Sequence, residues 1–192
     1  MERVRLGILG GAFDPPHVGH VALARAAIAE LGLERLLVLV VADPGHKGVA
    51  APAEERLELA RLAFADVAEA EVELDVHART VDSLEERRPK DAVFVIGGDE
   101  LAGLHRWKRP DRVLQLVRLA VAMRPGVPDR ELREARSRSP APDRILFFAL
   151  EPVAVSSTEV RELVARGEPI DGLVPPAVAA EIARLGLYRN AE

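Results

Sequence analysis

Apolar residues along the chain follow two patterns that alternate from one end to the other. In the first pattern they follow one another with little interruption, which predicts strands buried in a sheet. In the second they recur at helical spacing among charged residues. The strands are predicted at 6–9, 36–41, 72–76, 92–96, 119–123 and 145–150. The helices are predicted at 18–31, 54–67, 81–87, 112–117, 129–137, 156–166 and 175–185.

Strands that alternate with helices throughout predict an α/β fold, with a mainly parallel sheet and helices on both faces. We expect a single domain over residues 1–192. Ligands in such sheets bind beyond the carboxyl ends of the strands. The segments that directly follow four apolar runs are therefore expected to converge on one cleft. These segments are 10–11, 43–44, 97–99 and 155–156.

Composition narrows the classes of function. The net charge of −5 gives no general attraction to nucleic acid or to an acidic membrane. The absence of cysteine excludes disulfides, a thiol nucleophile and a cysteine-bound metal, and we expect no dedicated metal site. The chain starts without a long hydrophobic signal segment, and its apolar runs are too short to cross a bilayer. We expect a cytoplasmic protein whose partners are small molecules. The sequence leaves open whether the chain forms a homo-oligomer.

Residues 10–20, directly after the first predicted strand, read Gly-Gly-Ala-Phe-Asp-Pro-Pro-His-Val-Gly-His. Gly10 and Gly11 are expected to form a turn that admits a ligand close to the backbone. His17 and His20 are three residues apart, so they share one face of a helical turn. A helix start favours anions, and two imidazoles beside it suit a phosphate that gains charge during a reaction. A glycine pair after a strand, or a single histidine, is common in proteins of many functions. The combination of the glycine pair with both histidines favours phosphate chemistry.

A second polar group, 156–161, reads Ser-Ser-Thr-Glu-Val-Arg and begins another predicted helix. The hydroxyls of Ser156 and Ser157 can cap that helix, with Glu159 completing a capping box. The same hydroxyls and the nearby backbone N–H groups can instead hold phosphates. Arg161 lies one turn into the helix and offers a planar, permanently charged group that binds phosphate oxygens.

Three single residues, Lys47, Asp99 and Trp107, have both a chemical and a structural interpretation, and a fourth, Ser83, has a structural one. Lys47, in the loop after the second strand, can meet a phosphate as a point charge or lie in solvent. Asp99 can accept the two hydroxyls of a ribose or cap a helix that begins at residue 100. Ser83 lies beside Thr80 and Asp82, either of which can cap the helix predicted there. Trp107, the only tryptophan, lines a pocket or packs on the core.

Residues 11–20 resemble the signature of the nucleotidyltransferase superfamily, whose hallmark is a His-x-Gly-His pair. Their fuller G-x-F-D-P-x-H-x-G-H form is similar to that of the bacterial nicotinate-nucleotide adenylyltransferases. Residues 155–161 resemble the superfamily's Ile-Ser-Ser-Thr-x-Ile-Arg element, with valine at both isoleucine positions. The chain departs from the family pattern at Ala12, where Thr or Ser is usual, and at Lys108, where Tyr is usual.

The resemblance implies a Rossmann-like fold and a step of NAD biosynthesis: AMP passes from ATP to nicotinate mononucleotide, giving deamido-NAD and pyrophosphate, with Mg²⁺ carried by ATP. It implies catalytic roles for His17, His20, Lys47 and Arg161. The ATP-binding residues it implies, besides both histidines and Arg161, are Gly10, Gly11, Phe13, Gly97, Asp99, Ser156 and Ser157. The acceptor-binding residues it implies are Ala12, Lys47, Ser83, Leu104 and Trp107.

Three alternatives stay open at this point. A nicotinamide-mononucleotide or a pantetheine-phosphate adenylyltransferase would share the phosphate-binding residues and differ in the acceptor pocket. The segment at Ser83 and Trp107 favours nicotinate. A nucleotide-binding regulator without catalysis is the non-enzyme alternative, and His17, His20 and Arg161 argue against it. Release of pyrophosphate distinguishes an enzyme from a regulator.

Overall fold

The computed structural model describes residues 6–45, 48–123 and 129–189, which form one sheet with helices on both of its faces. The strands of this part of the chain are β1 (Leu6–Gly11), β2 (Arg35–Val41), β3 (Ala70–Asp75), β4 (Ala92–Gly97), β5 (Arg118–Met123) and β6 (Ile145–Ala149). Its α-helices are α1 (Val18–Leu31), α2 (Ala53–Phe64), α3 (Thr80–Arg87), α4 (Gly98–Ala102), α5 (Pro110–Leu116), α6 (Asp129–Ser137), α7 (Ser157–Ala165) and α8 (Pro176–Leu185).

The sheet has the strand order β3-β2-β1-β4-β5-β6, and every neighbouring pair is parallel. Leu9 in β1 lies opposite Val38 of β2 on one side and Val95 of β4 on the other. The strand order reverses direction between β1 and β4, which opens a crevice beyond the carboxyl ends of these two strands. The predicted α/β fold is confirmed, and the sheet of the described residues is parallel throughout.

Two apolar layers cover the faces of the sheet. Along β2, Val38 and Val40 pack with helices α1, α2, α7 and α8. Leu39 points to the opposite face and packs with helices α3, α4, α5 and α6. Along β4, Val95 belongs to the first layer and Phe94 to the second. Successive side chains of a strand point to opposite faces, so a strand buried on both faces needs an unbroken apolar run. The predicted two-sided burial is confirmed.

Most element boundaries agree with the hydrophobic pattern. Helix α1 occupies the predicted range 18–31, and Gly32 ends it in the left-handed conformation at φ 62°. Helix α2 ends at Phe64, three residues earlier than expected, because a turn brings the Val67 N–H to the Phe64 carbonyl. The periodic pattern does not predict helix α4, since five residues carry no periodic signal, and only the cap interpretation of Asp99 implies a helix there. No helix in the described ranges has the length and apolarity needed to cross a membrane.

Candidate active site

Strand β1 does not turn at its two glycines. It continues through Gly10 and Gly11, which pair with Leu39 and Val40 of β2, and neither glycine has a positive φ. The prediction of a glycine turn is therefore wrong. A Cβ on Gly10 would lie 3.1 Å from the ring of Phe94, and one on Gly11 would lie 3.1 Å from the ring of Phe13. Aromatic rings therefore approach the strand so closely that a side chain at either glycine would have to displace one of them slightly.

The chain turns instead at Phe13, which has a φ of 49°. The Phe13 ring is buried and meets the His20 ring edge to face, with 5.0 Å between ring centroids. It meets Phe64 of α2 in the same way at 5.9 Å. Phe13 therefore supports the imidazole of His20 from the core.

The two histidines form one stacked unit at the start of α1. Their ring centroids are 3.7 Å apart, with 27° between the planes. His17 is the N-cap of the helix, and its backbone N–H donates to Nδ1 of His20 at 3.2 Å. A ring that accepts at Nδ1 carries its proton on Nε2 when it is neutral. His20 is therefore fixed as a donor through Nε2, the nitrogen remote from the backbone of the turn.

Gly19 allows the second motif to approach the first. A Cβ at this position would lie 3.0 Å from the His17 ring and 3.2 Å from Cγ1 of Val155. Val155 directly precedes the Ser-Ser-Thr segment. A side chain between the two histidines would therefore push the start of α7 away from them.

Helix α7 is hydrogen-bonded to the histidine motif. Nη1 of Arg161 donates to the backbone carbonyl of Asp14 at 2.7 Å, and the Ser157 hydroxyl donates to the carbonyl of Pro15 at 2.8 Å. Nη2 of Arg161 lies 3.3 Å from the Thr158 hydroxyl. The structure thus brings together two motifs that are more than 140 residues apart in the sequence.

The two serines of this segment have structural partners. Ser156 is the N-cap of α7 and accepts from the backbone N–H of Glu159 at 3.1 Å, as in the predicted cap. Ser157 holds the carbonyl of Pro15, as described above. Both hydroxyls therefore keep the helix start in place, and their contact with a phosphate stays a prediction.

Arg56 of α2 organises the carboxyl ends of β1 and β2. Its side chain is fully buried, and it donates to four backbone carbonyls at 2.7 to 3.0 Å. Burial lowers the pKa of the guanidinium from its usual range. The carbonyls belong to Ala12, Val41, Ala42 and Ala51. Ala12, expected at the acceptor, is thus held through its carbonyl next to the histidine motif.

Lys47, which was expected to be catalytic, lies outside the described residues. On one side of it, the backbone N–H of Gly45 donates to the Asp43 carboxylate at 2.9 Å. On the other side, the N–H groups of Ala50 and Ala51 donate to the carboxylate of Asp14 at 2.6 and 3.1 Å. The role of Lys47 stays a prediction.

At the end of β4, the helix begins earlier than the sequence suggests. Helix α4 starts at Gly98, with Gly97 as N-cap, and the Gly97 N–H donates to the Glu100 carboxylate at 3.0 Å. Asp99 therefore lies within the first turn and is exposed. The alternative in which Asp99 caps a helix from residue 100 is wrong, and its carboxylate points to solvent beside the crevice.

Three of the residues expected at the acceptor, Ser83, Leu104 and Trp107, lie on the opposite layer of the sheet from α1. Ser83 of α3 is 2% exposed, and within the described residues its hydroxyl has no hydrogen-bond partner. The Trp107 ring meets Phe94 edge to face at 6.1 Å, and the Phe94 ring lies beside Gly10, 3.1 Å from where a Cβ on that glycine would be. Leu104 is buried, and its carbonyl accepts from the Trp107 N–H at 3.0 Å. Phe94 thus lies between Trp107 and Gly10, at the start of the histidine motif.

Ion pairs join α3 to the segment after Trp107. Nζ of Lys108 lies 2.9 and 2.8 Å from the two carboxylate oxygens of Asp82. Glu85 accepts from Arg109 at 2.6 Å and from Arg112 at 3.0 Å, and these contacts lower the pKa of the Glu85 carboxyl. In the part of the chain that the structure describes, no group of three or more His, Cys, Asp or Glu side chains could hold a metal ion.

Comparison with known proteins identifies the family of the chain. Residues 8–163, which include both motifs, match the family model described as cytidylyltransferase-like. The chain belongs to the cytidylyltransferase-like family. Curated relatives in this family carry the name probable nicotinate-nucleotide adenylyltransferase. One from Chromobacterium violaceum is 39% identical and covers 96% of this chain and 99% of its own length. One from Thermus thermophilus is 38% identical and covers 97% of this chain and 100% of its own length.

Solved structures share the fold. A nicotinic acid mononucleotide adenylyltransferase from Plasmodium falciparum, complexed with NaAD, superposes with a TM-score of 0.76 at 14% identity, over 96% of this chain and 97% of that one. A putative nicotinate-nucleotide adenylyltransferase from Vibrio parahaemolyticus superposes with a TM-score of 0.66 at 17% identity, over 97% and 96%. These likenesses support the fold of this cytidylyltransferase-like chain.

Sequence reasoning gave Tyr188 no role in the site of this cytidylyltransferase-like chain. Its hydroxyl donates to Oδ1 of Asp14 at 2.8 Å, in the middle of the histidine motif. Burial and the charge of Asp14 raise the pKa of the phenol. A Leu-Tyr pair near the end of a chain carries no local signal of such a contact, because the partner is 174 residues away.

Proposed function

We propose that this protein transfers AMP from ATP to nicotinate mononucleotide and releases pyrophosphate, forming nicotinate adenine dinucleotide (deamido-NAD). Curated relatives of nearly the same length, at about 38% identity, are named for this activity. The structural observation that carries the proposal is the contact between Arg161 and the backbone of Asp14, which puts a permanent cation beside the stacked histidines.

The reaction needs little covalent chemistry from the protein. A phosphate oxygen of the acceptor attacks the α-phosphorus of ATP and forms the new P–O bond. The bond from the α-phosphorus to the β-phosphate oxygen breaks, and pyrophosphate leaves with the electron pair. The attacking oxygen is already anionic at neutral pH, so the protein provides positioning and charge stabilisation.

In this proposal the histidine pair meets the α-phosphate. Nε2 of His20 donates a hydrogen bond to an α-phosphate oxygen, where negative charge builds up in the transition state. A preorganised donor of this kind is worth about 10²- to 10³-fold in rate. His17 stacks on His20 and fixes its ring through the backbone contact at 3.2 Å.

The start of α7 receives the leaving pyrophosphate in this proposal. Arg161 carries five N–H donors, of which the contacts with Asp14 and Thr158 use two. Its other donors, the N–H groups at Ser156 and Ser157, and the ammonium of Lys47 bind the β- and γ-phosphates. We infer that Mg²⁺ enters with ATP and is held mainly by phosphate oxygens and water.

The nucleosides lie on either side of the crevice in this proposal. The exposed carboxylate of Asp99, beside Gly97, accepts the ribose hydroxyls of the adenosine. The backbone at Gly10, Gly11 and Phe13 lines the path of the nucleotide between them. The pyridine ring of the acceptor lies against Trp107, bordered by Ala12, Ser83 and Leu104.

An acceptor assay tests the proposal. The purified chain is incubated with ATP and Mg²⁺ and with nicotinate mononucleotide, nicotinamide mononucleotide or phosphopantetheine, and the products are separated by chromatography. We expect pyrophosphate and the dinucleotide to form with the highest kcat/KM for the nicotinate acceptor. A higher value for another acceptor would reassign the substrate, and no pyrophosphate with any acceptor would favour a nucleotide-binding regulator.

A further inference from the structure

The turn after α8 reaches back to the histidine motif. Gly186 ends α8 with a φ of 67°, and Tyr188, with a φ of 62°, directs its ring toward the core. Its hydroxyl donates to Oδ1 of Asp14 at 2.8 Å. Tyr188 is the only tyrosine of the chain. A single phenol therefore connects the last described turn with the centre of the proposed site.

The Asp14 carboxylate joins this turn to a third segment. Asp14 is 4% exposed. Its Oδ2 accepts from the Ala50 N–H at 2.6 Å, and its Oδ1 accepts from the Ala51 N–H at 3.1 Å. Residues 50 and 51 end the loop that carries Lys47. One buried carboxylate thus fixes both the end of that loop and the turn at Tyr188.

The same carboxylate lies next to the Arg161 guanidinium without pairing with it closely. Nη1 of Arg161 is 4.0 Å from Oδ2 of Asp14 and 2.7 Å from its backbone carbonyl. The Tyr188 hydroxyl and two backbone N–H groups already occupy the carboxylate oxygens. Because burial and the Asp14 charge raise the pKa of Tyr188, its hydroxyl stays protonated and keeps donating.

We propose that Tyr188 is a positioning residue for the adenylyl transfer. Its hydroxyl holds the Asp14 carboxylate, and thereby keeps the loop end at residues 50–51 and the Arg161 guanidinium in the arrangement that receives pyrophosphate. Without this hydroxyl, Oδ1 of Asp14 loses a donor, and the carboxylate competes more strongly with the Asp14 carbonyl for the Arg161 guanidinium, which lies 4.0 Å from Oδ2. The inference rests on the proposed function, since it assigns Arg161 and Lys47 to the leaving group.

Two variants of the same turn separate positioning from simple destabilisation. Tyr188→Phe removes the hydroxyl and keeps the ring, whereas Leu187→Ala removes apolar packing next to it without touching Asp14. We expect Tyr188→Phe to lower kcat by about 10-fold or more, with the KM of the acceptor within about twofold. Leu187→Ala is expected to keep kcat within about twofold when both are assayed below their melting temperatures.

The outcomes of this comparison are distinct. A Tyr188→Phe protein with the kcat of the unmodified chain overturns the positioning role and leaves the proposed function standing. The positioning role is also overturned, with the proposed function left standing, if kcat falls in both variants in proportion to their loss of stability. If the unmodified chain transfers no adenylate to any acceptor, the proposed function fails and this inference fails with it.

Binding gives a readout that does not depend on turnover. Isothermal titration calorimetry measures the Kd of each ligand. We expect Tyr188→Phe to raise the Kd for inorganic pyrophosphate by about 10-fold and to keep the Kd for adenosine within about twofold. Equal affinities of the two proteins for pyrophosphate would contradict the inference.

A label provides a second test should the Phe variant not fold. 3-Fluorotyrosine incorporated throughout the protein reports from position 188 alone and gives one fluorine resonance. Because coupling between sites is reciprocal, saturation with pyrophosphate is expected to shift that resonance. A resonance that does not move at saturation would overturn the coupling.

Discussion

On the phosphate side of the proposed cleft, buried side chains hold backbone groups, whereas on the acceptor side half-exposed ion pairs hold helix α3 to the segment after Trp107. Arg56 and Asp14 are 0% and 4% exposed, and both bind backbone atoms of neighbouring loops. The side chains of Lys108 and Asp82 are 49% and 32% exposed and pair with each other, and Asp82 also lies 3.8 Å from Nη2 of Arg109.

The difference has a physical consequence. Buried charge-assisted hydrogen bonds fix a geometry firmly, because breaking one leaves an unsatisfied group away from water. Exposed ion pairs contribute little and are screened by salt. We therefore expect the phosphate side to be rigid and intolerant of substitution, and the acceptor side to adjust without loss of the fold. Four experiments test this contrast, from the largest expected effect to the smallest.

Arg56→Met is expected to destabilise the protein most. The substitution leaves four backbone carbonyls without their donor, and bonds to a charged donor contribute about 1.5 to 3 kcal/mol each. The free energy of unfolding should fall by about 3 kcal/mol or more in chemical denaturation. Arg61→Met, on an exposed part of the same helix, is the matched control and should change it by less than about 0.5 kcal/mol. Equal effects would refute the contrast.

His20→Ala is expected to lower kcat by about 10²-fold or more, because it removes the donor that meets charge on the α-phosphate. ATP should still bind, since Arg161 and the start of α7 remain. Steady-state kinetics and ATP titration measure the two quantities. His105→Ala, a change at an exposed histidine, is the control and should keep kcat. Turnover near normal in His20→Ala would remove this residue from the mechanism.

His77 tests the acceptor side through pH. Its ring bridges Asp75 at the end of β3 and Glu86 of α3, at 2.9 and 3.1 Å, and the Asp75 hydrogen bond raises the pKa of His77 above 6.5. A raised pKa stabilises the fold fully below about pH 6.5, and this contribution is lost as pH rises through the folded value. The stability difference between the unmodified chain and His77→Gln should therefore shrink with increasing pH in denaturation measurements. A difference that grows would contradict this.

Lys108→Met is expected to have the smallest effect. Its ion pair with Asp82 is largely exposed, so the free energy of unfolding should change by about 1 kcal/mol or less, and by less still in high salt. Lys90→Met, at another exposed lysine, serves as control. The preference for the nicotinate over the nicotinamide acceptor should fall, because a cation near the acceptor pocket is lost. A large loss of stability would mean that the acceptor side is as firmly built as the phosphate side.

The sequence predicts the sheet and the histidine motif well because their signals are local. Unbroken apolar runs require burial on both faces, and His17 and His20 share a face at any helix start. The glycine turn was mispredicted for a physical reason. Gly10 lies within the strand against the ring of Phe94, a residue more than eighty positions away, and no local pattern reveals that close approach.

The contacts that assemble the site are long-range and escape sequence reasoning. Tyr188 reaches Asp14 over 174 residues, and Asp99 lies inside a helix whose cap is set by Glu100. The meeting of the two motifs could be expected from the topology, since both follow strands whose carboxyl ends lie at one edge. The atoms that join them, from Ser157 and Arg161 to the backbone of the motif, required the structure.

The central claim is that the stacked histidines and Arg161 surround one triphosphate. A crystal structure with Mg²⁺ and a non-hydrolysable ATP analogue tests it most directly. The account predicts an α-phosphate oxygen at about 3 Å from Nε2 of His20, with the terminal phosphates at similar distances from Arg161. Phosphates bound on another surface, or in contact with only one of these two groups, would contradict it.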